Sequence, residues 1–157
     1  MAGIGRLLLL LVLVFAPLAC RARPPYEGKT VPQLVRMLGD SDPKVQSQGA
    51  FGLSLLGADA KPAVPALVEK LKSPESLVRQ NAALALGHIG PDAADAVPAL
   101  SETVHDPEWP VRRHAALALG EIGPAARAAL PALQKLNNDP DKLVRKAAQD
   151  AVAKIKK

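Results

Sequence analysis

The stretch SLVRQNAALALGHIG, Ser76–Gly90, decides the fold. Val78, Ala82, Ala85, Leu86 and Ile89 fall on one side of a helix at 3.6-residue spacing. Gly90 follows directly, where a chain leaving a helix favours a left-handed residue. The pattern is not local. Val45, Val78, Val111 and Val144 are each 33 residues apart, as are Leu56, Ile89, Ile122 and Ile155. Upstream of each such helix a second register holds the same interval: Val31-Pro32, Val64-Pro65, Val97-Pro98 and Leu130-Pro131, then Leu34, Leu67, Leu100 and Leu133. Repetition at a fixed period with no insertion is the sequence form of a stacked array.

Each unit reads as two helices. The first is short, Val64 to Lys72 in the second unit, and opens on a proline, whose fixed φ and missing N–H cost nothing in a first turn. The second is longer, Ser76 to Ile89. Asp40-Ser41-Asp42-Pro43, Ser73-Pro74-Glu75, Asp106-Pro107-Glu108 and Asp139-Pro140-Asp141 supply turn and N-cap chemistry between them. One hairpin is too small to bury its own apolar side, so neighbours must stack on it. The expected fold is all-α, a right-handed α-α superhelix (α-solenoid) of four 33-residue hairpins over residues 30–157, with repeats at about 30–57, 58–90, 91–123 and 124–157. Composition agrees: 48% of the 157 residues are apolar and only 3% aromatic. Small aliphatic side chains let helix axes approach closely.

The N-terminus carries a different message. Arg6 precedes an unbroken apolar run, Leu7 to Ala16, followed by Pro17, Leu18, Ala19 and Cys20. A positive start, a short apolar stretch and small residues near a cut site make an export signal over residues 1–19. Arg21, Arg23, Pro24 and Pro25 then open a tether over 20–29, expected to be extended. Leu18-Ala19-Cys20 resembles the lipobox of bacterial lipoproteins, with Pro17 where that family prefers a branched apolar residue. The resemblance implies lipidation of Cys20 and a membrane anchor in the cell envelope, in the periplasm or on the outer membrane. Plain cleavage with a secreted product, or a retained anchor, is the alternative.

Ser76–Gly90, four times in register, resembles the second helix of a short bacterial HEAT repeat, of the HEAT-like kind also found in phycobilisome lyases. The resemblance covers about Thr30 to Lys157. It implies that Arg79, Arg112 and Arg145 match a recurring arginine, with Gln46 in the first unit. Asp40, Asp106 and Asp139 match a recurring inter-helix aspartate, with Ser73 in the second. Such a ladder is expected to stitch loops together rather than to bind a partner. The last unit carries Gln149, Asp150 and Lys154 where the third has Ala116, Leu117 and Glu121, as a solvent-facing end needs.

In solenoids of this family the second helices line the concave surface. On the helical projection Phe51, Leu84 and Leu117 form an apolar ridge there, flanked by Gln48, Asn81 and His114 on one side and by Ser47, Gln80, Arg113 and Lys146 on the other. Leu55, His88, Glu121 and Lys154 make the next row. This is the expected partner-binding surface, for a protein or peptide. The alternative is that Leu84 and Leu117 pack between neighbouring helices. Trp109 reads as a cover for the start of its helix or as an exposed anchor.

The function expected is a non-catalytic binding or scaffolding module, with a lyase or lyase-accessory role related to phycobilisome lyases as the alternative. His88, His105 and His114 lack ligand spacing, and the glycines stand singly rather than in a phosphate loop. No cofactor, metal or nucleic acid is expected. The net charge of +5 is spread along the chain, without aromatic residues for bases to stack on.

Overall fold

The computed structural model describes residues 24–157. They form four helical hairpins: α1 (Val31–Leu38) with α2 (Pro43–Leu56), α3 (Val64–Lys70) with α4 (Ser76–Ile89), α5 (Val97–Thr103) with α6 (Trp109–Ile122), and α7 (Leu130–Lys135) with α8 (Lys142–Ile155). No strand occurs among the described residues. Proline sits in the first turn of α1, α3, α5 and α7. The register residues make the core: Leu34, Leu67, Leu100 and Leu133 are buried, as are Val78, Val111, Val144 and the isoleucines Ile89, Ile122 and Ile155. Val45 and Leu56 are only half-buried, because among the described residues no hairpin packs on the outer side of the first repeat.

The second helices stack on one another much more closely than the first helices do. Unequal spacing curves the array, with α2, α4, α6 and α8 on the inner side. Glycine allows the close approach. A Cβ on Gly87 would stand 3.1 Å from the Ala118 Cα, and one on Gly120 would stand 2.9 Å from the Ala151 Cα. Gly57, Gly90 and Gly123 end the second helices with φ of 55°, 72° and 75°. Their ψ values, −130°, −138° and −142°, are not those of the left-handed helical terminus expected from the sequence. They lie close to a backbone region that essentially only glycine occupies. The chain leaves through it into 3-10 turns, Gly57–Ala63, Gly90–Ala96 and Gly123–Ala129, that lead to the next hairpin.

The arginine–aspartate ladder holds the turns between helices. Arg79 donates from Nε and Nη2 to the two carboxylate oxygens of Asp106, at 2.7 and 2.9 Å, and from Nη1 to the carbonyls of Ser73 and Pro74 in its own turn. Arg112 repeats the arrangement with Asp139 and the carbonyls of Asp106 and Pro107. Each aspartate also accepts the backbone N–H two residues on, from Glu108 and Asp141. One carboxylate therefore closes its own turn and joins it to the preceding repeat. The two departures from the pattern belong to a single missing rung. Gln46 stands where the arginine would be and Ser73 where its aspartate would be, and Gln46 instead donates to the Asp40 carbonyl. Burial raises the Asp139 pKa, but the hydrogen bonds from Arg112 and the Asp141 N–H, with the charges of Arg112 and Arg145, outweigh it and leave the pKa below the ordinary 3.8.

Residues 24–29 form a turn rather than an extended tether, with Glu27 and Lys29 N–H groups donating to the carbonyls of Pro24 and Tyr26. Tyr26 meets Phe51 edge to face, ring centroids 5.2 Å apart. Its Cβ lies 2.8 Å from where a Cβ on Gly52 would stand, so only glycine there admits it. The turn thus covers part of the outer side of α2. The export signal, Cys20, Arg21 and Arg23 lie outside the described residues.

Two outcomes are expected in urea unfolding. Gly120→Val forces α6 from α8, and overpacking of about 1–3 kcal/mol exceeds the few tenths that replacing glycine returns through helix propensity, so the midpoint falls. Asp139→Asn loses about 1.5–3 kcal/mol at neutral pH. Because the folded pKa is depressed, the wild-type advantage is complete above the unfolded value of about 3.9 and shrinks as pH falls through the folded one. An advantage that persists at pH 2 would contradict the ionic account.

Candidate functional site

A trough runs over the inner side across α2, α4 and α6. Between α4 and α6 it holds a cavity of about 110 Å³ lined by Leu84, Gly87 and His88 on one wall and His114, Leu117 and Glu121 on the other. A wider depression of about 530 Å³ extends it toward α2, past Ser54, Leu55 and Gly57. Gly87, His88 and Glu121 line both. The shallow floor follows from the Gly87–Ala118 approach: without a side chain at 87, the flanking Leu84 and Leu117 stand as separate walls. Both leucines are half-buried, and Leu55, one row on, is 61% exposed.

The polar rim is held by backbone. His88 Nδ1 donates to the Ser54 carbonyl at 2.8 Å, and His114 Nδ1 donates to the Pro110 carbonyl at 2.7 Å. A carbonyl oxygen only accepts, so Nδ1 carries the proton in both rings and Nε2 is left over. Burial holds the His114 pKa below the ordinary 6.5, helped by the charges of Arg113 and His88 and opposed by the bond to Pro110. Glu121 accepts from Lys154 Nζ at 2.7 Å, with both side chains about half-exposed.

The expected surface is brought together in part. Leu84, Leu117, His88, His114 and Glu121 share the cavity. Phe51 does not join it; its ring is half-buried against Tyr26. Asn81 is buried and donates to the carbonyl and hydroxyl of Ser47, which ties α4 to α2 and leaves its amide unavailable. Gln48, Gln80 and Arg113 are half-buried and Lys146 is exposed, and none of the four lines the cavity or the depression. Trp109 begins α6 and keeps 43% of its surface exposed, outside the cavity. The sequence reading missed Gly87 as the floor and Ser54 as the anchor of His88. The 33-residue step was the available signal for the first, since Gly87 and Gly120 occupy one register; a backbone carbonyl carries no signal.

Among the described residues no group of three or more His, Cys, Asp or Glu side chains is arranged to hold a metal ion. No helix there is long and apolar enough to cross a membrane.

The family profile described as HEAT repeats matches residues 31–102 and again 64–153. Similar solved structures include an engineered protein, 31% identical over 80% of this chain and 62% of that one, with a TM-score of 0.67. Human deoxyhypusine hydroxylase in complex with glycerol is 32% identical over 85% of this chain and 46% of that one, with a TM-score of 0.65. A designed armadillo repeat protein in complex with the peptide (KR)4 is 20% identical over 80% of this chain and 64% of that one, with a TM-score of 0.71; at that identity the likeness shows the fold alone. The chain spans less than two thirds of the length of each. No curated protein matches it in sequence.

Proposed function

The chain belongs to the HEAT repeat family, and from that premise we propose that it is a non-catalytic binding module holding a protein segment or peptide along the inner trough. The observation that carries the proposal is the cavity between α4 and α6. Two half-buried leucines face each other there, open to solvent, beside imidazoles already fixed on backbone carbonyls. Apolar walls with a few oriented polar groups are the usual make-up of a recognition site. The surrounding structure has its own bonds, since every buried side-chain nitrogen and oxygen among the described residues has a partner. The leucines are therefore not needed to shield unsatisfied groups. The rim chemistry suits recognition better than turnover, because each imidazole Nδ1 and the Glu121 carboxylate is engaged. A linear peptide library displayed on phage provides the test. Enrichment on the wild-type protein is expected, and Leu84→Asp with Leu117→Asp should abolish it at an unchanged helical circular-dichroism signal; equal enrichment on that variant would overturn the site.

For location we propose export and lipid attachment at Cys20, supported by the apolar run and the lipobox-like Leu18-Ala19-Cys20. The acyl chains would tether the solenoid to an envelope membrane. In cells fed labelled palmitate the wild-type chain is expected to carry the label and Cys20→Ser to lose it. A free, unmodified N-terminus after residue 20 would refute the anchor.

A further inference from the structure

The hydrogen-bond polarity of the trough restricts what it binds. His88 and His114 stand on adjacent helices, and each spends its Nδ1 proton on a main-chain carbonyl, of Ser54 and of Pro110. In a neutral ring the remaining nitrogen, Nε2, has a lone pair and no proton. The rim therefore offers acceptors. Its one carboxylate, Glu121, is already paired with Lys154 at 2.7 Å, and Arg113 lies beside His114. A cationic ligand group finds no unpaired anion there and meets the charge of Arg113. A carboxylate, though drawn by Arg113, would face the lone pairs of both rings. Neutral donors, amide N–H or hydroxyl O–H, fit both. The apolar cavity of about 110 Å³ suits one aliphatic side chain.

We infer that the trough selects an extended peptide segment that lodges one aliphatic side chain between Leu84 and Leu117 and donates neutral N–H or O–H groups to Nε2 of His88 and His114. This deepens the binding reading above and rests on it. An extended peptide is the economical source of such donors, because its backbone N–H groups recur along the chain whatever its sequence. Acidification reverses the His114 side of the rim. A protonated imidazole donates from both nitrogens, so the acceptor is lost as pH falls through the ring's pKa. For His114 that lies below 6.5, burial being the main cause. The charged and titratable groups beside it are His88 from α4, Arg113 and Glu121 on its own helix, and Lys154 from α8 through Glu121.

The test uses peptides selected from the displayed library, made synthetically and measured by calorimetry against the full chain. The expected peptides share one aliphatic anchor. N-methylating one amide near it, or removing one hydroxyl, weakens binding about tenfold. His88→Gln and His114→Gln, whose Oε1 can replace the Nε2 acceptor, retain most affinity, while His88→Met and His114→Met lose about tenfold at unchanged melting temperature. Wild-type affinity falls as pH drops through the depressed pKa of His114, and His114→Gln removes that dependence. Peptides that bind the trough but tolerate methylation at every amide and both methionine substitutions would overturn the inference and leave the binding function standing. So would selection of peptides with an obligatory carboxylate at the anchor. No enrichment on the wild-type protein at all would take down the binding function first and this inference with it.

Discussion

The structure depends on the near-contact of backbones between successive second helices. At Gly87 and Ala118, and again at Gly120 and Ala151, the bare glycine backbone of one helix lies against an alanine of the next. A hairpin of this size buries too little on its own to offset the entropy of ordering it. The missing apolar burial comes from the neighbouring repeat, and close approach makes it dense: Ala82, Ala83, Ala85, Ala115, Ala116 and Ala118 are all essentially buried. The same approach sets the curvature, since the first helices pack on one another far less closely. The trough is a consequence of that curvature and of the glycine floor, not a separate addition to the fold.

Apolar packing of small residues is tolerant of sliding, and the ladder removes that freedom. Arg112 and Asp139 are 13% and 5% exposed at the side chain and meet through two parallel bonds, so one register only satisfies both. Withdrawing such charges from water costs about as much as their attraction returns. Specificity of stacking is then the better account of the rungs than net stability. The absent rung supports this: Gln46 and Ser73 are both neutral, so neither end is left as a buried unpaired charge, and α2 and α4 are registered instead by Asn81 on Ser47.

The array was legible because its signal is redundant. Four copies of each register residue agree, and α4 falls on Ser76–Ile89 as its pattern predicts. The ladder residues were legible through the resemblance, and the structure pairs Arg79 with Asp106 and Arg112 with Asp139. The candidate surface was legible only by row. Period alone says which residues share a stripe; Leu84 with Leu117 and His88 with Glu121 line one cavity. It does not say where a side chain turns at the end of an array, so Phe51 was placed with the leucines although Tyr26 takes it. Nor does it separate Asn81 from His114, which share a register position. One is buried against Ser47 while the other keeps a ring edge in the cavity, a difference made by the residue at 47 in the preceding helix and not by position.

The two kinds of ion pair show how structure and recognition are divided on one helix. On α6, Arg112 points toward the inter-helix turn, is nearly enclosed and makes four bonds. Nine residues on, Glu121 points into the trough and holds Lys154 with both partners about half in water. An exposed pair of that kind contributes little to folding, so its rearrangement by a ligand would cost little too. The imidazoles between them are intermediate: their rings are fixed by carbonyls, yet each has one nitrogen left over. Rigid walls, a fixed acceptor rim and one loosely held pair at the edge are the features that reduce the ordering cost of binding. They sit where Leu84 and Leu117 stay half-buried and Leu55 is exposed.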